Sequence, residues 1–502
     1  MKHYTTSRLL CLLLALLMCT SVLLACNNEP APDNTPGDPP AGDTPVDTPD
    51  TPADPEPEPE PEAPSYRVLI ASDVHCTDLM DWYGLTNEER MELWYDSVIA
   101  EHKRDPFDLI IIAGDISLDT HAGETCYTKG YSTSEIFMED YVGALPKSIP
   151  VFVLAGNHES QYDEDWVDMT GNSRQCTYVL GNNTFIMLDS FEAAIGEVDN
   201  GGPYTQANVA YIKEQMEAYP ENNVYLVSHT FPIDEGMGGE SAEFRELLCD
   251  ERIIGLFGGH THLNTLVQYN ENCGNKIQAQ TGNFSYTNGS FDTAFWGFRE
   301  LIITEDSAIT NYIQVECDVV LNGEERHYDR KLTESVDFMN PETFNDFVAD
   351  DGTKYTKLYD YINYASIQGD AGNNAGEEAN AVLDGKEHTK WCLPSWKTGT
   401  ATMSWSMTEP VKLLGYVITT GNDEPARTPK TWTLFAGNSP EDMKIIDDRE
   451  GVEITSLPRT NSEVFIISNP GEYQYYELVI TENAGDATMY QFSELILLGA
   501  RV

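Results

Sequence analysis

Positive charge is scarce in this chain. Lysine and arginine together number 29 of 502 residues, against 83 aspartates and glutamates, leaving a formal net charge of −54. A surface this acidic repels nucleic acid and anionic lipid at long range, so neither is expected as a partner. An anionic substrate would bind only where a strong local positive charge offsets that field, and a metal cluster supplies one. Cysteine is sparse too, with ten residues and no C-x-x-C pair, which argues against a disulfide framework. Spacing assigns no pairing among Cys76, Cys126, Cys176, Cys249, Cys273, Cys317 and Cys392. No G-x-x-x-x-G-K-[ST] loop occurs, which disfavours a P-loop nucleotidase. After residue 26 no apolar run is long enough to span a bilayer. Hydrophobic residues still make up 41 %, enough for sizeable cores, and the length calls for at least two domains.

The N-terminus reads as a targeting segment. Lys2 and Arg8 precede the apolar run "LLCLLLALLMCTSVLL", and "LLAC" ends at Cys26. This is the pattern of a secretory signal, residues 1–26. Its end resembles a bacterial lipobox, in which Cys26 is lipidated and anchors the mature chain outside the cytoplasm. Residues 27–64 are rich in Pro, Asp and Glu and nearly free of apolar side chains. Such a segment is expected to be an extended tether, at about 3.1 Å per residue on the order of 100 Å long.

Periodic structure begins at Tyr66. "YRVLIASD", "FDLIIIAGD", "IPVFVLAGNHE", "NVYLVSH" and "RIIGLFGGHTH" read as buried strands. Between them, "LTNEERMELWYDSVIAEHKRD" carries a Thr86/Glu89 capping box and an apolar face, and "TQANVAYIKEQMEAY" is a second helix. This alternation predicts an α/β domain over residues 65–340. From about Tyr355 the chain turns to short Thr-, Trp- and Tyr-rich runs, which predict an all-β sandwich over 355–502.

The five apolar runs end alike. Their tips carry Asp73 and His75; Asp115; Asn157, His158 and Glu159; His229; and His260 and His262. Five of the ten histidines lie there. In open α/β sheets the crevice beyond the strands' carboxyl ends is where ligands bind. In an extended segment His260 and His262 would point the same way, suiting one metal or two adjacent ones. The glycines before them let the backbone approach closely. A mixed oxygen and nitrogen ligand set suits Mn, Fe or Zn.

In this order, D-x-H, G-D, G-N-H-[DE], H and G-H-x-H resemble the calcineurin-like metallophosphoesterase superfamily, over residues 66–315. The resemblance implies a four-layer αββα sandwich with a two-metal site at its edge. One metal would take Asp73, His75, Asp115 and His262, and the other Asp115, Asn157, His229 and His260. His158 would face the substrate phosphate as a catalytic residue, with Asp115 the bridging ligand. A hydroxide held between the metals would attack a phosphomonoester or phosphodiester. Purple acid phosphatases share the pattern but carry Tyr where this chain has Leu118, so a tyrosinate-bound ferric ion is not expected.

The β region resembles discoidin-like (F5/8 type C), galactose-binding-like domains through "NAVLDGKEHTKWCLPS", "RTPKTWTLFAGN" and "YQFSELILLG". That resemblance implies a jelly-roll-like sandwich, a glycan ligand, and a structural calcium held by Asp384, Thr389 and Glu494. Trp391, Trp396, Trp405 and Trp432 fit either a core or a binding platform. The reading is an extracytoplasmic, lipid-anchored phosphoesterase with a carbohydrate-binding module. The alternative is a surface-anchored glycan-binding adhesin whose phosphatase-like domain is weak or inactive. The complete ligand set disfavours it.

Overall fold

In the computed structural model of the chain, the residues described are 65–78, 86–118, 132–159, 161–192, 204–231, 240–269, 276–284, 296–321, 324–386, 388–394 and 399–500. The signal segment with Cys26, the tether over 27–64, Cys126, Cys273 and Trp396 lie outside them.

Two six-stranded sheets form the first part. The first contains β1 (Tyr66–Ala71), β2 (Leu109–Ala113), β3 (Val151–Leu154), β10 (Gly297–Ile303), β11 (Ala308–Gln314) and β14 (Lys331–Asp337), in the order β14-β11-β10-β1-β2-β3. The second contains β4 (Cys176–Leu180), β5 (Asn183–Leu188), β6 (Asn223–Ser228), β7 (Ile253–Gly258), β8 (Leu266–Tyr269) and β9 (Lys276–Gln280), ordered β4-β5-β6-β7-β9-β8. β1, β2 and β3 run parallel, as do β5, β6, β7 and β9.

Strand alternation sorts the apolar side chains into layers. Val68, Ile70, Leu109 and Ile111 meet Phe185, Met187, Tyr225, Val227 and Phe257 between the sheets. Leu69, Ala71, Ile110 and Ile112 point the other way, onto Trp94 and Val98 of α1 (Asn87–Arg104). Beneath the second sheet, Val224 and Leu226 pack on helices Val209–Ala218 and Ala242–Leu247. These strands are buried on both faces, which explains their unbroken apolar runs. The layers are therefore α, β, β, α. α1 opens with the expected capping box, Thr86 accepting from Glu89 N and Glu89 reaching back to Thr86 N.

The second part is all-β. One antiparallel sheet contains Asp346–Val348, Lys354–Lys357, Glu494–Gly499, Gly415–Thr419 and Phe465–Ile466; a second holds Ile362–Gly369, Ala401–Lys412, Glu472–Asn483, Pro429–Gly437 and Lys444–Arg449. Trp391, Trp405 and Trp432 are buried in the core between them, so none of the three is an exposed platform. The first sheet begins at Asp346, nine residues ahead of the expected start at 355. The junction is packed rather than loose. Phe338, just past β14, sits edge-on to Phe257 (5.4 Å), Phe344 packs on the same core, and Phe347 packs on the sandwich.

Phe338 is thus a core residue placed at the junction. Phe338→Ala should destabilise the chain by roughly 3–5 kcal/mol, the usual scale for a buried Phe truncation. Chemical denaturation measures it, and a loss below about 1 kcal/mol would mean the junction does not contribute to the core.

Candidate metal centre

All five strand tips converge. β1, β2 and β3 bring their ends from one sheet, β6 and β7 from the other, and the loops meet at the carboxyl edge of both. Backbone bonds tie the tips: Asp73 N donates to Gly114 O (3.1 Å), His75 N to Asp115 O (3.0 Å) and Gly259 N to His229 O (2.7 Å).

The arrangement differs from the extended one expected for His260 and His262. Their φ angles are 67° and 60°, in the left-handed region. Asp73 (54°), His75 (46°) and Asp115 (48°) share it. This conformation is costly for non-glycine residues and collects where the surrounding fold over-determines it. Its effect on the G-H-x-H tip is specific. His260 joins Asp115 and His229, whereas His262 joins Asp73 and His75. The two histidines serve different clusters because the turn between them is not a strand. Gly259 makes the approach possible, since a Cβ there would lie 2.5 Å from Asp73 Oδ2.

Asp115 lies between the clusters. Its Oδ2 is 3.2 Å from His75 Nε2 and 3.2 Å from His229 Nε2. Its Oδ1 accepts from His158 N (3.1 Å). His262 Nε2 lies 3.2 Å from Asp73 Oδ1, and Asp73 also accepts from His260 N (2.9 Å to Oδ2). Asn157 Oδ1 is 2.9 Å from His260 Nδ1. All seven predicted ligands are brought together. His158 stands at the edge, its side chain 16 % exposed, 3.9 Å from Asp115 Oδ2 and edge-on to His75 at 5.2 Å. It too comes within ligating distance of His75 and Asp115.

The electrostatics fit a cation. His229 Nδ1 lies 2.8 Å from Ala113 O, and where it donates there Nε2 carries the lone pair that faces Asp115 Oδ2. Two acceptors at that distance repel unless a proton or a metal ion lies between them. Burial pushes the His229 pKa down, but the Asp115 charge and hydrogen bond, the Asp73 charge and the bond to Ala113 O together outweigh it and raise it to about 9. Burial pushes the Asp115 carboxyl up, yet His229 and His158 hold it well below the usual carboxylate range. Burial first, and then the neighbouring histidines, push His75 and His260 down to about 4 against the pull of the nearby carboxylates, leaving neutral imidazoles able to ligate.

Several supporting residues have no role in the expected ligand set. Glu159 is fully buried; its Oε2 accepts from Asp115 N (3.0 Å) and Gly156 N (2.7 Å), and its Oε1 from Ser117 N (3.1 Å) and Ser117 Oγ (2.9 Å). One carboxyl thereby clamps the G-D loop to the G-N-H loop. Its place in the G-N-H-E run was the available signal. Arg90, buried in α1, donates to His75 O (2.8 Å) and Thr77 O (3.1 Å). Cys76 is a core thiol that donates to Asn87 Oδ1 (3.2 Å), and Leu118 is buried. Cys249 is disulfide-bonded, while Cys76, Cys176, Cys317 and Cys392 are not in disulfides.

In the β-sandwich, Asp384 accepts from Thr389 Oγ1 (3.0 Å), which also lies 3.0 Å from Ala381 O and 2.7 Å from Lys386 O. One hydroxyl proton cannot serve all these acceptors, so the cluster is rich in oxygen ligands. Glu494, also buried, faces the same turn and accepts from Gly385 N (3.4 Å) and Tyr359 OH (3.2 Å).

Residues 66–264 match the family model described as calcineurin-like phosphoesterase. No curated protein matches the chain. Among solved structures, an F5/8 type C domain from Bacteroides fragilis is 12 % identical, covering 30 % of this chain and 97 % of that one, with a TM-score of 0.25. A family 32 carbohydrate-binding module from Clostridium perfringens in complex with galactose is 13 % identical, covering 28 % and 97 %, with a TM-score of 0.23. The family 32 carbohydrate-binding module of Streptococcus pneumoniae EndoD is 13 % identical, covering 27 % and 96 %, with a TM-score of 0.22.

The Glu159 clamp makes a prediction independent of metal. Glu159→Gln replaces one acceptor oxygen by an NH₂ group facing N–H or O–H donors. The loss should be roughly 1–3 kcal/mol per donor left unsatisfied, read from denaturant unfolding of the metal-free chain. Unchanged stability would mean that the four bonds do not hold the two loops together.

Proposed function

We propose that the chain is an extracytoplasmic phosphoesterase that hydrolyses a phosphomonoester or phosphodiester with two divalent transition-metal ions (Mn, Fe or Zn). We further propose that its β-sandwich binds a glycan and that lipidated Cys26 anchors it to a bacterial envelope. The observation that carries the catalytic reading is Asp115 Oδ2, 3.2 Å from one imidazole of each cluster, in a segment that matches the calcineurin-like phosphoesterase family.

Asp73, His75, Asp115 and His262 would hold one ion, and Asp115, Asn157, His229 and His260 the other. Bound there, the pair supplies positive charge to phosphate oxygens and lowers the pKa of a water molecule. The chain's own residues do the rest. Glu159 and the left-handed turns fix the ligands before substrate arrives, so little reorganisation is left for the reaction. His158, half-buried at the mouth, protonates the leaving oxygen. The surrounding acidic surface makes the centre the point at which an anionic ester is attracted.

For the sandwich, the proposal rests on the D-G-x-x-x-T-x-W resemblance together with the oxygen cluster around Asp384, Thr389 and Glu494. The set suits calcium, which prefers carboxylate and carbonyl oxygens. The glycan surface must lie elsewhere than Trp391, Trp405 and Trp432, which are core.

Three measurements test this reading. Asp115→Asn should lower metal content and abolish hydrolysis of chromogenic phosphoesters while the chain stays folded; near-normal turnover with both metals bound would refute the bridging assignment. His158→Ala should keep both metals and lose roughly 10²–10⁴ in rate. If it loses a metal instead, His158 is a ligand. Calcium should raise the melting temperature of the sandwich transition, and Asp384→Asn should abolish that rise; an equal response in the variant would remove Asp384 from the site.

A further inference from the structure

We infer that Phe191, held by the buried ion pair Arg174–Asp189, is a positioning residue for His229 and His260, and that it sets the metal affinity of their cluster separately from the other. The inference rests on the two-metal reading above.

Phe191 follows β5 and is 1 % exposed. Its ring lies edge-on to His229, with centroids 5.6 Å apart, and tilted against His260 at 5.8 Å. It therefore backs both imidazoles of one cluster at once. Within each cluster the imidazoles lie edge-on to one another, His229 to His260 at 5.2 Å and His75 to His262 at 5.1 Å. Each histidine backed by Phe191 also has a polar partner for its Nδ1, Ala113 O for His229 and Asn157 Oδ1 for His260. A polar group fixes one ring atom and an apolar plate fixes the ring plane. Apolar groups behind metal ligands also control water access and local dielectric.

What holds Phe191 is a closed circuit of polar bonds. Asp189 Oδ1 accepts from Phe191 N (2.9 Å) and from Arg174 Nη2 (3.2 Å), and Asp189 Oδ2 from Arg174 Nε (2.6 Å). Arg174 Nη2 also donates to Phe191 O (3.4 Å). Both backbone polar groups of Phe191 are bound to the pair. Arg174 further donates to Gln161 O (3.3 Å) and lies over the Trp166 ring, 5.6 Å from its centroid. The clamp therefore joins the segment after G-N-H-E to the loop behind His229. A guanidinium only 2 % exposed is costly to desolvate, and a buried pair of this kind is weak evidence for stability. Holding one loop in one place is the use the geometry supports.

The test is titration of the full chain, stripped of metal, with Mn²⁺ alone, followed by calorimetry and by metal analysis after desalting. Wild type should take up two ions. Phe191→Leu should bind one with wild-type affinity and the other roughly 10–100-fold more weakly, the scale for residues that orient metal ligands. Arg174→Lys, which keeps the charge but loses the fork, should weaken the same ion to a lesser extent. Asp189→Asn serves as a second disruption of the clamp, with metal-free melting curves to show that each variant is folded. Unchanged affinity for both ions overturns the inference, and so does an equal weakening of both, which would mean a general structural role. A wild-type chain that takes up fewer than two ions overturns the two-metal reading instead, and this inference falls with it.

Discussion

The centre depends on one carboxylate in an unfavourable place. Asp115 is buried, has a left-handed backbone, and presents a single oxygen 3.2 Å from two imidazoles that belong to different clusters. Taking a carboxylate out of water costs several kcal/mol unless opposite charge or hydrogen bonds compensate. Here the compensation comes from every direction: His158 N on Oδ1, His75 and His229 on Oδ2. The backbone N–H of the same residue is bound by Glu159, so the strained turn is held from behind as well as in front. Much of the neighbouring architecture can be understood as what keeps this residue where it is.

That architecture is two sheets whose parallel strands end at one edge. Each contributing strand is apolar on both faces, so the core fixes its position closely, and dense packing leaves little freedom at the tips. Strain follows from this. Five of the predicted metal ligands have positive φ, a cost of order 1–3 kcal/mol each that only a well-packed scaffold sustains. Gly114 is where the scaffold leaves no room. Its φ is +91°, and a Cβ would lie 2.6 Å from His229 Nδ1.

The sequence made the cluster of strand-tip residues legible because apolar runs announce buried strands and the polar residues just beyond them announce a strand-end site. The capping box at Thr86 and Glu89 was legible for the same reason, since it is local in sequence. What escaped was non-local. Spacing placed His260 and His262 on one side of an extended segment, but hydrogen bonds from Gly259 N to His229 O and from His260 N to the Asp73 carboxylate hold a left-handed turn that separates them. The Arg174–Asp189 pair joins residues fifteen apart with no motif between them, and Phe191 gains its meaning from histidines on other strands. The sandwich boundary was placed late because Asp346–Val348 is a short edge strand after a β-poor stretch, and only pairing with Lys354–Lys357 reveals it.

The acidity of the chain and the chemistry proposed for it are reconciled by distance. At physiological ionic strength charges are screened beyond about 8 Å, so most of the net charge of −54 is not felt inside the cleft. Within that radius lie Asp73, Asp115 and Glu159, and burial together with the Asp115 charge pushes the Glu159 carboxyl up to about 8, leaving Asp73 and Asp115 as the charges that count. Two divalent ions carry twice the charge of the carboxylates that hold them, so a loaded centre is locally cationic in an anionic field. Burial of Asp73 and Asp115 strengthens this reversal, because a low dielectric raises the value of every charge the phosphate meets there. The outer acidity then acts as a filter, making the edge where β1, β2, β3, β6 and β7 end the favoured place for an anionic ester to settle.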